Sequence, residues 1–80
     1  MVETMNAEYV VIVEQGETGF GAYVPDLPGC VAVGETRDET LQLIREAIEL
    51  HVESLREAGE HIPPPTSTAE SVVVHAQLSI

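Results

Sequence analysis

The chain has 80 residues, enough for one domain and too few for a catalytic module beside a second one. Fourteen acidic residues against three arginines and no lysine give a formal net charge of −11, which repels phosphate and excludes direct nucleic-acid binding or docking on anionic lipid. A single cysteine, Cys30, excludes a disulfide framework, and no zinc-ligand spacing takes its place.

The N-terminal run Met1-Val2-Glu3-Thr4-Met5 carries an acid and no apolar core of a signal peptide. The longest apolar runs fall far short of the roughly 20 residues a spanning helix needs, so the expected compartment is the cytoplasm. Tyr9-Val10-Val11-Ile12-Val13 is β-branched or aromatic throughout and predicts a strand apolar on both faces. Such a strand is central, or has one face covered by another chain. Gln15 to Gly19 supplies a turn, and Phe20-Gly21-Ala22-Tyr23-Val24 alternates as a second strand. Pro25-Asp26-Leu27-Pro28-Gly29 stops it, because proline cannot donate to a ladder. Cys30 to Val33 is a short third strand ended by Gly34.

Thr36 and Glu39 have the T-x-x-E spacing of a capping box and open a helix over roughly 37–58, with Asp38 and Glu39 at the positive end of its dipole. Leu41, Ile44, Ile48, Val52 and Leu55 form its apolar stripe, and Gly59 is the expected stop. A second, weaker stripe of Leu43, Ala47 and Leu50 lies beside the first; it either widens the core contact or packs on a second copy or a partner helix. Pro63-Pro64-Pro65 makes the following loop a semi-rigid spacer. Val72, Val74, Ala76, Leu78 and Ile80 then alternate with wetter residues, predicting a fourth strand with one buried face. The expected fold is α+β, ordered β-β-β-α-β, an antiparallel sheet with one long helix on one face.

No constellation carries chemistry. His51, His61 and His75 fall on the helix margin, the proline loop and the last strand, without metal-ligand spacing, and read as structural or surface groups. Cys30 begins a strand after Pro-Gly and reads as a core residue rather than a nucleophile, which would need a base and a partner for its thiolate. Glu46, Glu49, Glu53, Glu57 and Glu60 crowd the helix flank as solvated charges, not as a sequestered acid pair. Neither an enzyme nor a cofactor is expected. A core this small supplies only about 3–5 kcal/mol, so self-association is the remaining stabilising device and a homo-oligomer is expected.

With these elements in place, Phe20 to Ile48 resembles the HicB family of antitoxins. The resemblance rests on Phe20-Gly21-Ala22-Tyr23-Val24-Pro25-Asp26-Leu27-Pro28-Gly29-Cys30, on Gly34-Glu35-Thr36, and on Glu46-Ala47-Ile48. The tail, with Gly59 and Ile62-Pro63-x-Pro65, is similar to the family's helix exit. The resemblance implies a degraded RNase H-like fold without catalysis, a dimer or tetramer, and binding that masks a small basic HicA-type ribonuclease toxin. The acidic surface suits such a partner. Many family members carry a C-terminal DNA-binding segment, whereas this sequence reaches Ile80 on its last predicted strand, so a single HicB-like domain over 1–80 is expected, without that segment. An orphan HicB-like oligomer without a toxin is the alternative, and a metal-dependent nuclease on the same scaffold ranks last. Pro25, Pro28, Gly29 and Gly34 read as turn residues of the fold; Tyr23 and Asp26 are the expected partner contacts in the meander, and Leu43, Ala47 and Leu50 those on the helix.

Overall fold

The structure is a computed structural model that describes residues 6–79. Three strands, β1 (Ile12–Gln15), β2 (Phe20–Tyr23) and β3 (Val31–Gly34), precede one helix, α1 (Arg37–Glu57). The strands form an antiparallel meander in the order β1-β2-β3, so β1 and β3 are both edges. Register decides the faces, because side chains directly opposite one another share a side of the sheet. Val13, Ala22 and Ala32 stand in one row toward α1. Ile12, Tyr23 and Val31 stand in the next row, on the other face, and α1 does not cover them.

The first strand is shorter at its start than the run Tyr9 to Val13 predicts. Its neighbour explains why: β2 ends at Tyr23 opposite Ile12, and beyond it the Val24 N–H donates to the Cys30 carbonyl inside the loop. Tyr9, Val10 and Val11 thus have no strand to pair with on that side.

The loop from Val24 to Cys30 is folded on itself. Leu27 N–H donates to the Val24 carbonyl, and Cys30 N–H to the Leu27 carbonyl. This places Leu27 in the core at 0% exposure, against Ala22, Val24, Cys30 and Ile44. Between two prolines Leu27 looks like a turn residue; it is the largest side chain in the core to be fully buried.

Helix α1 begins as its capping residues require. Thr36 Oγ1 accepts from the Glu39 N–H at 3.1 Å, and the Glu39 carboxylate reaches back to the Glu35 N–H at 3.0 Å. Thr40 is fully buried and donates its hydroxyl to the Thr36 carbonyl. Gly34 ends β3 directly against this turn, where an added Cβ would come within 2.5 Å of Thr40 Oγ1. At the other end Gly59 has φ +70°, and the N–H groups of Gly59 and Glu60 return to the carbonyls of Arg56 and Leu55. That pattern is a Schellman stop, and its left-handed residue is suited to glycine.

The predicted fourth strand is not formed. Residues 60–79 carry no regular structure, and every residue from 68 to 79 is exposed. Ile80, the last residue of that expected strand, and Met1 to Met5 lie outside the described residues. The sequence is strand-competent, but a strand needs an edge to pair with, and this segment departs from its own sheet. The radius of gyration, 15.5 Å, exceeds the roughly 12 Å of a compact domain of this length because this arm stands off the body.

Removing the Leu27 side chain should be costly. Leu27→Ala is expected to lower unfolding stability by about 3 kcal/mol in urea titrations followed by helix circular dichroism, against about 1 kcal/mol for Thr36→Ala. Equal effects of the two changes would contradict the placement of Leu27 in the core.

Candidate interaction surface

Apolar side chains left in water by this fold gather on two sides of the body. The first lies at β3. Its two outward residues, Val31 and Val33, are 62% and 77% exposed, beside the half-exposed Tyr23 ring. Around the β3 edge, Val31 and the Gly29–Cys30 turn share a shallow groove with Ala47, Leu50 and Ser54 of α1. Leu50 is 72% exposed and stands among the carboxylate side chains of Glu46, Glu49 and Glu53. The only ion pair among the described residues joins Arg56 to Glu53 at 3.4 Å, on the surface, so the flank keeps most of its negative charge.

Ala47 packs against the core, while Leu43 is exposed and Leu50 more so. One member widens the core contact and two face solvent.

The second side lies at β1. Tyr9 and Val11 pack on the core from the segment before β1, and between them and α1 runs a cleft of about 650 Å³. Leu41, Ile44 and Ile48 form its helix wall together with the charged Arg45 and Glu49. The apolar stripe of α1 is therefore wider than the three strands that cover it.

Asp26 has a different place from the open contact expected of it. Its carboxylate accepts four hydrogen bonds, from the N–H and hydroxyl of Thr66 at 3.0 and 3.2 Å and from those of Ser67 at 2.9 and 2.8 Å. Nearby, the Tyr9 hydroxyl donates to the Pro63 carbonyl. These contacts bridge 40 residues or more, so no local pattern announces them. Hydrogen bonds from Ser67 and then Thr66 hold the Asp26 carboxyl below its usual range. Burial, and then the negative charge of Asp26, pushes the Tyr9 phenol up.

Burial raises the Cys30 thiol and keeps it protonated. Among the described residues, no three His, Cys, Asp or Glu side chains are grouped to hold a metal ion. No described helix is long and apolar enough to cross a membrane.

The Asp26 contacts carry a pH dependence. Because the folded-state pKa lies below the unfolded value, their stabilisation is complete above the usual carboxylate range and disappears as pH falls through the depressed value. Acid titration by NMR should therefore release the Thr66 and Ser67 amides together, and Asp26→Asn should remove that transition. Release of these amides at neutral pH in the native protein would contradict the clamp. Iodoacetamide at neutral pH should label Cys30 far more slowly in the folded protein than in urea; equal rates would contradict its burial.

Comparison with known proteins agrees with this architecture. Residues 9–77 match the family described as HicB_like antitoxin of bacterial toxin-antitoxin system. The chain is 43% identical over 70 residues to a UPF0150 protein of Thermoplasma acidophilum, covering 86% of this chain and 99% of that protein. Among solved structures it is similar to the N-terminal domain of the antitoxin HicB of Burkholderia pseudomallei, at 41% identity and TM-score 0.66, over 72% of this chain and 69% of that one. It is also similar to a chain of a HicA3 and HicB3 toxin-antitoxin complex, at 32% identity and TM-score 0.64, over 74% of this chain and 70% of that one. A meander whose Pro-Asp-Leu-Pro-Gly-Cys loop buries Leu27 and Cys30, one capped helix over it and a match across nearly the whole chain place this protein in the HicB-like antitoxin family.

Proposed function

We propose that this protein is a cytoplasmic antitoxin that binds and masks a small basic HicA-type ribonuclease toxin, with no catalytic step of its own. The observation that carries the proposal is Leu50, an exposed apolar anchor ringed by Glu46, Glu49 and Glu53 beside the β3 edge. Binding energy at interfaces concentrates in a few central side chains, while charged rims steer encounter and choose the partner. An acidic rim on a body of net charge −11 selects a cationic surface and disfavours nucleic acid. Leu43, Tyr23 and Val31 extend the apolar part of the surface to either side of Leu50, with Ala47 as its half-buried floor. Similarity to a chain of a HicA3 and HicB3 complex supports a toxin of that type as the partner.

The orphan alternative keeps the self-association and drops the toxin, and partner capture separates the two. Tagged full-length protein is expected to retain one small basic protein from native lysate at about 50 mM salt and to lose most of it near 300 mM, as screening of an electrostatic interface requires. With that protein purified, Leu50→Ala should weaken binding roughly ten- to thirty-fold, the effect of removing a central anchor worth about 1.5–2 kcal/mol. Recovery of the bait alone at both salts would favour the orphan reading. Capture that Leu50→Ala leaves unchanged would move the interface elsewhere.

A further inference from the structure

The β3 edge beside Leu50 is open along its backbone as well as its side chains. The Gly16 N–H donates to the Gly19 carbonyl and the Val24 N–H to the Cys30 carbonyl, one bond at each end of β2. Antiparallel ladders alternate, so these bonds fix which residues of β2 point to β1 and which to β3. Phe20, Ala22 and Val24 bond toward β3, and the N–H and C=O groups of Val31 and Val33 therefore turn outward. Among the described residues no further strand, turn or cap takes them up. Past this edge the flank of α1 forms a wall. Helical spacing sets Leu43, Ala47, Leu50 and Ser54 in one row, and Ala47, Leu50 and Ser54 share the groove with Val31. Glu46 and Glu53 stand beside Leu50 on the solvent side of that row.

We infer that an extended segment of a cationic partner protein adds as a strand along the free β3 edge, bonding its main chain to Val31 and Val33, with its apolar side chains beside theirs and its alternate Lys or Arg side chains turned to α1. An edge strand supplies main-chain bonds to an incoming chain, and the surfaces beside it read alternate residues of that chain. On the α1 side a long cationic side chain lays its alkyl stem over Leu50 and carries its charge to Glu46 and Glu53. Pairing of this kind rests on the cationic toxin proposed as partner, and specifies how it is held.

Charge selects this occupant over the others. A second copy pairing edge to edge would bring two acidic flanks together, each on a chain of net charge −11. The chain's own residues 71–79 hold neither Lys nor Arg to meet Glu46 and Glu53, and all of them are exposed. A partner helix could cover Leu50, but it would leave the main-chain groups of Val31 and Val33 unpaired.

The test titrates the purified full-length chain, followed by NMR, with a synthetic peptide in which lysine alternates with valine. With the peptide in excess, the Val31 and Val33 amides are expected to exchange with solvent roughly tenfold more slowly, while Ala32, whose N–H faces β2, changes little. A peptide with glutamate in place of lysine should protect neither. Val33→Pro removes an outward N–H at an edge, where proline is tolerated, and should weaken binding of the lysine peptide about tenfold. Val33→Thr keeps that N–H and should bind as the unaltered chain does. Unchanged exchange at Val31 and Val33 in the unaltered chain, equal protection by the glutamate peptide, or protection at β1 instead would each overturn the inference. The toxin reading is tested apart from it. A captured basic protein that leaves both amides exchanging freely would overturn the edge pairing and keep the toxin, whereas peptide protection without any captured protein would keep the pairing and remove the toxin.

Discussion

Ile44 sits against Ala22, Val24, Leu27 and Cys30, and nearly everything else in the molecule follows from where that contact lies. These partners belong to β2 and to the loop between β2 and β3, so α1 is drawn over that half of the sheet. Gly34 allows the start of the helix to press directly on the end of β3. The far half of the sheet is left thinly covered, which opens the cleft at β1, while Leu43 and Leu50 turn to solvent past β3. A helix centred on the sheet would have closed the one and hidden the other.

Two kinds of surface result, and their chemistry differs. Around Leu50 the apolar area is small and rimmed by carboxylates, the arrangement that suits a cationic partner met by diffusion. At β1 the opening is a strand edge beside a cleft in which apolar side chains alternate with Glu8, Arg45 and Glu49. The net charge of −11 gives this division its sense. Like copies repel one another through most of their surface, whereas a cationic partner is attracted to it.

Local patterns were legible in the sequence wherever the physics is local. Thr36 and Glu39 marked the helix start, Gly59 its end, and the meander followed from runs of β-branched residues bounded by glycine and proline. The resemblance carried by Pro25 to Cys30 led to the right family. What was not legible depends on distant partners. Leu27 lies between two prolines and was taken with the turn, although the loop folds inward and makes it core. Asp26 looked open because its four donors come from Thr66 and Ser67, with nothing in the intervening chain to signal them. The fourth strand failed for a related reason: alternation reports that a segment can pair, not that its own fold leaves it an edge within reach. Tyr9 to Val11 failed as a strand because β2 stops at Tyr23, opposite Ile12, and the chain beyond it turns into the loop.

The Asp26 clamp also orders events in time. Each strand pairs with the next in sequence and the helix follows directly, so the body is built from contacts of short sequence separation, the kind that form quickly. The clamp spans 40 residues and closes on hydroxyl and amide donors that lie beyond the finished helix. By this ordering a nascent chain completes its own body first and only afterwards fixes the direction of its last residues.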